Sequence, residues 1–209
     1  MVKISLPEYN EKLAELVGIL LGDGHISKYQ TSITLNSIAD KDYLPYVLDL
    51  AESLFSQAKT SIIYRRSSRA IDIRINSIKV ADFFHEMGIR PNNKKIPEWI
   101  YSRKEFRKAC VRGLVDTEGS TARKIYLSKS KGQRIYYQLN FRNYEPILMS
   151  FVKNVLTELK IKSSLIPLKS LYISNPMALG TFLREIGCSN PKLREVLVVA
   201  SSRKIAKQF

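Results

Sequence analysis

Two acidic residues stand at equivalent places in two similar segments of the chain, residues 16–24 and 111–119. Each segment has glycine at its third position, an acid at its eighth and glycine at its ninth. The acids are Asp23 and Glu118, and both 118 − 23 and 119 − 24 give 95, close to half of the 209 residues. The chain therefore reads as a duplicated unit, and each copy is expected to contribute one carboxylate to a shared centre.

Small residues recur at every fourth position of both segments, which places them on one face of a helix. They are Ala14, Gly18 and Gly22 in the first copy and Ala109, Gly113 and Thr117 in the second. Small side chains let two helix backbones approach closely, and the apolar residues around them predict burial on nearly all sides. Gly24 and Gly119 are expected to end the helices in the left-handed conformation that glycine adopts at little cost.

An acid at the end of such a helix needs a compensating charge. The C-terminus of a helix is partly negative, so an anion there is unfavourable, and two acids brought together repel. A divalent cation relieves both problems, and carboxylate oxygens suit Mg²⁺. One segment alone would favour an ordinary solvated helix end, but two copies with the acid in register favour a metal site.

In these paired segments the sequence resembles the LAGLIDADG homing endonucleases, in the monomeric form with two motif copies. The resemblance implies an α+β fold of two pseudo-symmetric αββαββα units with antiparallel, saddle-shaped sheets that lie over DNA. It implies that Asp23 and Glu118 are catalytic and bind Mg²⁺, for which Mn²⁺ or Ca²⁺ can substitute in binding. The seventh-position residues, Gly22 and Thr117, would offer backbone carbonyls to the metals.

The resemblance also implies a basic residue beside the scissile phosphate. Lys79 occupies this place in the first half and is a catalytic candidate, whereas the matching residue in the second half is Ala178. Asn36 and Arg142 are expected at matching strand ends near the metals. Leu21 departs from the family, which has an acid at the sixth position of the motif.

The distribution of charge indicates the partner. The net charge is +15, and residues 53–71, 119–143 and 159–184, which hold most of the expected hairpin strands, contain no acid. One strand-built surface should therefore be strongly positive, which favours a phosphate backbone as the partner over a generally solvated basic surface, and the resemblance implies that this partner is double-stranded DNA. Polar residues of these strands suit the major groove. The candidate DNA contacts are Asn36, Arg65, Arg66, Arg69, Asp72, Arg74, Arg123, Lys124, Tyr126, Lys129, Arg134, Tyr136, Gln138, Asn140, Arg142 and Lys169.

Composition excludes other classes of protein. Two histidines and two cysteines, Cys110 and Cys188, are too few for zinc fingers or a disulfide framework. No run approaches the roughly 18 apolar residues of a membrane span, and the first residues lack the apolar core of a signal peptide. We therefore expect an intracellular protein of the cytoplasm, an organelle or the nucleoid, which is not secreted and contacts no membrane. The resemblance to the two-motif form implies that it acts as a monomer.

The same order of elements is expected twice. The first copy has helix 8–22, hairpin 25–36, helix 41–57, hairpin 61–76 and a helix over 78–88 closed by Gly88. A connector over 89–103, pinned by Trp99 and Ile100, leads to helix 104–118, hairpin 123–142, helix 144–160, strands within 162–174, a helix over 176–187 and a tail helix from 191. The predicted units are residues 1–98 and 99–209.

Together these features predict an intron-encoded, site-specific endonuclease that makes a Mg²⁺-dependent double-strand break in a long, non-palindromic DNA target. In this mechanism a metal-activated water attacks the scissile phosphorus. An RNA-binding intron maturase and a non-cleaving DNA-binding protein on the same fold are the alternatives. An intein source is less favoured, because the chain starts almost directly at its first helix.

Overall fold

The structure is a computed structural model that describes residues 4–66, 68–90, 93–128, 132–166 and 170–202. It divides into two compact units, one through Thr117 and one from Glu118 onward. The repeat predicts that the second copy begins at residue 99, and that boundary stays a prediction. The helix of the second motif, Lys104–Glu118, packs against the helix of the first motif, Glu11–Asp23. All of its residues except Glu118 therefore belong to the first unit.

The first unit follows the predicted order of helices and hairpins. Its elements are α1 (Glu11–Asp23), β1 (Gly24–Ile26), β2 (Thr31–Asn36), α2 (Leu44–Leu54), β3 (Lys59–Tyr64), β4 (Ala70–Asn76), α3 (Ile78–Glu86), β5 (Ile89–Arg90), β6 (Asn93–Lys94), α4 (Glu98–Tyr101) and α5 (Lys104–Glu118). The main sheet is antiparallel, with strand order β1-β2-β4-β3. Ile71, Ile73 and Ile75 of β4 are buried, as the alternation along this strand predicts.

The second unit repeats this order after α5. Its elements are β7 (Gly119–Ser128), β8 (Gly132–Phe141), α6 (Pro146–Glu158), β9 (Ser164–Ile166), β10 (Ser170–Ile173), α7 (Pro176–Glu185) and α8 (Pro191–Ser202). The sheet is again antiparallel, with order β7-β8-β10-β9. The α+β class and the duplicated αββαββα order are therefore confirmed. Among the described residues, no helix has the length and apolar composition needed to cross a bilayer.

The stretch predicted as a connector contains more structure than expected. It forms the short strands β5 and β6 and the helix α4, and it buries Ile89, Ile96 and Ile100. The Trp99 ring stacks on Tyr9 with 4.4 Å between ring centroids. Prolines and asparagines mark this stretch as a loop, but elements of two to four residues are too short to show a hydrophobic period.

The two motif helices pack through their glycines, as the small residues at every fourth position predict. A Cβ atom on Gly18 would lie 2.2 Å from the carbonyl oxygen of Cys110, and one on Gly113 would lie 2.2 Å from that of Glu15. Since 15 + 95 = 110 and 18 + 95 = 113, the two contacts are related by the sequence repeat. The contact is thus symmetric, and it explains why α5 packs with the first unit.

A buried ion pair joins the same two helices. Arg112 Nη2 lies 2.5 Å from Oε2 of Glu15, which is 2% exposed, and the Tyr46 hydroxyl donates to Oε1 at 2.7 Å. Burial alone would lower the pKa of Arg112, but the hydrogen bond and charge of Glu15 raise it above its usual value. Arg112 is therefore a cation, and the contacts of Glu15 tie α1 to both α2 and α5.

The prediction that Gly24 and Gly119 end the motif helices in the left-handed conformation is wrong. The prediction that Gly88 closes the helix over 78–88 is confirmed. Gly24 has φ −88° and ψ 151°, and both Gly24 and Gly119 begin a strand. Gly24 is instead required by close approach, because its Cβ would lie 2.4 Å from the carbonyl oxygen of Leu20. Gly88 and Gly187, with φ of 83° and 81°, follow α3 and α7 in the left-handed conformation.

We predict that Gly18→Ala and Gly113→Ala each lower the free energy of unfolding by about 1–3 kcal/mol or more, because the added methyl group meets backbone of the facing helix. Urea denaturation of the purified variants measures this change. Gly180→Ala is the matched control, since its Cβ would meet only Ser201 Cβ at 3.5 Å. Within α7 that alanine should stabilise by up to about 1 kcal/mol. Equal stability of all three variants would contradict the packing described.

Candidate metal and nucleic-acid site

Asp23 is the last residue of α1 and is half-buried. The carbonyl oxygen of the preceding Gly22 accepts a hydrogen bond from Lys94 Nζ at 2.9 Å. A cation at this end of the helix is favourable, because the helix dipole is negative there. Lys94 lies on β6, in the stretch predicted as a connector, and no local pattern in the sequence marks it as a neighbour of the motif.

Glu118 is the last residue of α5 and is also half-buried. Its Oε1 accepts a hydrogen bond from Nδ2 of Asn143 at 3.1 Å. The Asn143 side chain is itself oriented, because its Oδ1 accepts from the backbone N–H of Glu145 at 2.9 Å. Sequence reasoning missed Asn143 in favour of its neighbour Arg142.

The predicted equivalence of Asn36 and Arg142 is wrong. Gly24 pairs with Ile33 and Gly119 pairs with Phe141, so Asn36 lies three residues beyond the pairing partner of its motif glycine and Arg142 lies one beyond. Hairpins of different length cause the discrepancy. The Asn36 side chain accepts from the backbone N–H groups of the next turn, and the Arg142 guanidinium donates to Tyr144 Oη at 3.2 Å.

The other candidates from the motifs have partners of their own. The Thr117 hydroxyl donates to the carbonyl oxygens of Gly113 and Leu114 at 3.0 and 3.1 Å, so its backbone carbonyl is the atom to consider for a metal. Lys79 is exposed, and its Nζ donates to the carbonyl oxygen of Ile4 at 2.8 Å. In this structure, therefore, Lys79 fastens the N-terminal segment to the start of α3.

The outer face of the first sheet carries a buried carboxylate beneath arginines. The sequence predicts Asp72 as a DNA contact, but it is 1% exposed and hydrogen-bonds with Thr34, Arg65 and Arg74. Burial alone would raise the Asp72 pKa, but the hydrogen bonds from Arg65, Thr34 and Arg74 lower it below its usual value. Asp72 is therefore an ionised group under the surface, and Arg65 and Arg74 present the charge.

The remaining candidates of the first unit are the arginines of the β3–β4 turn. Arg66 and Arg69 are exposed, with Arg65 beside them, so the turn presents a cluster of cations as predicted. The hydroxyls of Thr34 and Ser61 lie on the same sheet face but are not among the predicted contacts. The alternation along residues 32–36 predicts that Thr34 points outward, whereas only the strand register shows that Ser61 shares this face.

The outer face of the second sheet follows from the pairing of β7 with β8. Lys124 pairs with Tyr136 and Ala122 with Gln138, so these positions share one face with Tyr126 and Asn140. Arg123 pairs with Tyr137, which puts it on the opposite face. One face of this hairpin can therefore present only one of these two predicted DNA contacts, because side chains alternate along a strand.

A hollow of about 450 Å³ opens on this face of the second unit. Its lining includes Lys124, Tyr126, Tyr136, Gln138 and Tyr172, and the Tyr126 and Tyr136 rings meet edge to face at 5.3 Å. Gln138 is 8% exposed and lies at depth rather than at the surface. The face is therefore more aromatic than its basic composition suggests.

Three further candidates lie outside what the structure describes. Lys129 and Lys169 belong to undescribed residues, and the side chain of Arg134 is not described, although its backbone forms part of β8. Their predicted DNA contacts stay predictions.

The chemistry of the donor atoms at each motif end, taken separately, fits a divalent cation. Asp23 and Glu118 are carboxylates, and the carbonyl of Gly22 already accepts from a cationic group, Lys94. A carbonyl oxygen has two lone pairs, so this hydrogen bond leaves one for a metal. Within the described residues, no group of three or more His, Cys, Asp or Glu could hold an ion alone. Mg²⁺ is commonly bound by one or two carboxylates together with substrate phosphates, which these residues suit.

We predict that Lys94→Met lowers the free energy of unfolding by about 0.5–2 kcal/mol, because α1 loses a cation and a hydrogen bond at its C-terminus. Thermal unfolding measures the change. Lys95→Met is the matched control, since Lys95 is exposed in the same segment and its loss should change stability by less than about 0.5 kcal/mol. Equal effects of the two substitutions would show that the contact with Gly22 is not stabilising.

No protein-family model matches the sequence. Among curated proteins, the chain is 29% identical over 199 residues to the replication factor C small subunit of Methanocaldococcus jannaschii, covering 92% of this chain and 10% of that protein. It is 30% identical over 138 residues to an A-type ATP synthase subunit of Pyrococcus abyssi, covering 63% and 12%. A third match, 31% identical over 105 residues, is the DNA-directed RNA polymerase subunit Rpo1C of M. jannaschii, covering 50% and 12%. The chain thus spans only about a tenth of the length of these relatives.

Solved structures cover most of the chain. I-DmoI in complex with nicked target DNA and Mn matches with a TM-score of 0.62 and 17% identity, over 85% of this chain and 95% of that chain. The LAGLIDADG homing endonuclease I-LtrWI bound to its target DNA matches with a TM-score of 0.60 and 12% identity, over 91% and 90%. The N-terminal LAGLIDADG domain of WhiA matches with a TM-score of 0.55 and 19% identity, over 98% and 88%. At these identities the comparisons show the fold of the chain.

Proposed function

We propose that this chain, whose fold is that of the LAGLIDADG homing endonucleases, is a site-specific endonuclease that cuts both strands of a long, non-palindromic DNA target. One chain carries both acids, so we propose that it acts as a monomer. Its substrate implies an intracellular location. The fold alone does not carry the proposal, because the same fold also forms a domain of WhiA.

The observation that carries the proposal is the symmetric contact of the motif helices. Gly18 and Gly113 meet the facing backbone in the same way, and each is followed five residues later by the acid that ends its helix. An acid is unfavourable at a helix C-terminus, and it occurs here twice at equivalent positions. A fold that needed the helices only for packing would not require Asp23 and Glu118.

We propose that Asp23 and Glu118 are each a carboxylate ligand of Mg²⁺, with Gly22 and Thr117 offering backbone carbonyls. The metal would supply a water activated for attack on the scissile phosphate and neutralise charge on the phosphate oxygens. The chain itself orients the ligands: Asn143 fixes the Glu118 carboxylate, and Lys94 holds the end of α1. I-DmoI structures contain DNA with Mn or Ca, which supports a divalent cation in this role.

The outer faces of the two sheets are proposed to bind the DNA. The net charge of +15 and the exposed arginines of the β3–β4 turn supply attraction to phosphates. Lys79 lies at the start of α3, and its proposed place beside a scissile phosphate requires it to leave the Ile4 carbonyl. A lysine held by one exposed hydrogen bond can exchange that partner for a phosphate at small cost.

The curated relatives support a mobile element. Their names are those of three proteins with unrelated activities, and in each case the similarity covers only 10 to 12% of the protein. A segment shared by otherwise unrelated proteins is expected if it spreads between hosts, and cleavage of a specific target would drive that spread. These matches favour a chain that is inserted within host protein sequences, as an intein is, whereas the sequence alone makes that source less favoured.

A second candidate function, RNA binding as an intron maturase, is supported by the tyrosine-lined hollow of the second unit. Proteins bind unpaired bases of RNA by stacking them on aromatic side chains. Tyr126, Tyr136 and Tyr172 could accept such a base. Competition between a DNA duplex and intron-like RNA hairpins for the wild-type chain distinguishes the two functions, because only a maturase would prefer the RNA.

We predict that Asp23→Asn or Glu118→Gln reduces DNA cleavage by more than about 100-fold while binding of the DNA is retained. Loss of a direct metal ligand should exceed the 10- to 100-fold effect typical of an outer-shell partner. Cleavage is measured on targets selected from randomised duplexes with Mg²⁺, and binding is measured by gel shift with Ca²⁺.

Asp82→Asn is the control for these substitutions, since Asp82 is exposed on α3 and its loss changes the net charge equally. It should cut at the wild-type rate. Cleavage at the wild-type rate by either motif variant would contradict the proposed roles of the acids. Cleavage that is lost together with binding would instead indicate a structural role.

A further inference from the structure

The outer face of the first sheet holds a buried acid, Asp72. Asp72 lies in β4, which has a strand on each side, between the core residues Ile71 and Ile73. Aspartate is disfavoured in strands, and a buried ion pair often adds nothing to stability compared with apolar residues. The reason for its position must therefore be sought in what it contacts.

The Asp72 carboxylate holds two guanidinium groups. Arg65 approaches side-on, with Nε 3.1 Å from Oδ2 and Nη2 2.8 Å from Oδ1, and Arg74 Nη2 lies 3.1 Å from Oδ2. Thr34 Oγ1 donates to Oδ1 at 2.9 Å from the neighbouring strand. The Asp72 side chain is 2% exposed, whereas Arg65 is 52% and Arg74 33% exposed. The Asp72 carboxylate thus lies beneath the two guanidinium groups, which are partly exposed on the outer face of the sheet.

This pairing leaves the end of the Arg65 guanidinium available for a ligand. The group has five N–H donors in one plane, and Asp72 takes the N–H of Nε and one N–H of Nη2. The end of the fork, formed by Nη1 and the second N–H of Nη2, is the edge that can bind O6 and N7 of guanine. An arginine already held in one orientation also loses less side-chain entropy on binding.

We infer that Asp72 is a positioning residue that holds Arg65 and Arg74 for guanine recognition, so that the part of the DNA target read by the first unit contains guanines. The inference rests on the proposed function, because it needs duplex DNA on this sheet face. By strand register from the motif glycines, Ser170 and Tyr172 stand where the first unit has Asp72 and Arg74. The described strands of the second unit do not repeat the arrangement, so the guanine dependence is expected in one half of the target.

Binding selection from randomised DNA duplexes, with the full chain in Ca²⁺, tests this inference. Wild type should enrich guanines at positions in one half of the selected site. Arg65→Gln and Arg74→Gln should each relax some of these positions. Asp72→Asn should weaken the preference for guanine at the same positions by about 10- to 100-fold per base, the discrimination expected of a bidentate contact.

Arg66→Gln is the matched control. Arg66 is exposed in the same turn, and no carboxylate among the described residues forms an ion pair with it. As a phosphate contact it should weaken binding of all sequences alike and reduce the salt dependence by about one in log–log slope, without changing base preference. Circular dichroism establishes that each variant is folded. If Asp72→Asn is not, the two exposed arginines decide the outcome.

The possible results distinguish failure of the inference from failure of the proposed function. Guanine preferences that survive Asp72→Asn, or that survive both arginine substitutions, overturn the inference. Binding of specific duplexes without cleavage overturns the nuclease activity and leaves the inference standing. Absence of any duplex binding by wild type overturns the proposed function and the inference together.

Discussion

The close approach of α1 and α5 is the constraint on which the rest of the structure depends. Gly18 and Gly113 leave no room for a Cβ atom, so the contact is made by main-chain atoms. Main-chain atoms cannot change rotamer to accommodate a shift, and the position of each helix along the other is therefore tightly defined. Both helices end in an acid and are followed immediately by the first strand of a sheet. The placement of Asp23 and of strand β1, both in the first unit, thus begins from this contact.

Several acids of this basic protein accept hydrogen bonds from specific side chains. Glu15 is bound by Arg112 and Tyr46, Asp72 by two arginines and Thr34, and Glu118 by Asn143. In a chain with a net charge of +15, each of these carboxylates orders cations or amides around it. On the outer face of the first sheet, the buried Asp72 thus holds Arg65 and Arg74, and the other two acids join helices or orient an amide.

Patterns that repeat over several turns or strands can be predicted from the sequence. Helix α5 is expected over 104–118 and forms over Lys104–Glu118, because small residues at every fourth position are a strong helical pattern. Single contacts cannot be predicted in this way. Lys94 contacts Gly22, which is 72 residues away in the sequence, and Arg65 contacts Asp72 across a turn. Neither contact produces a periodic pattern in the sequence. The error at Arg142 arises because the lengths of the two hairpins differ, which only the strand register reveals.

The Glu15–Arg112 ion pair has no counterpart in the sequence repeat. By the offset of 95, Glu15 corresponds to Cys110 and Arg112 to Val17, so the symmetric glycine contact carries an asymmetric charge pair. If α1 of one chain met α1 of another, each Glu15 would face an apolar residue, and if α5 met α5, each Arg112 would do the same. A buried charge without a partner is strongly destabilising. The pair therefore favours packing of α1 against α5 over packing of either helix against a copy of itself, and it allows the rest of each sequence copy to change without the risk of assembling identical copies.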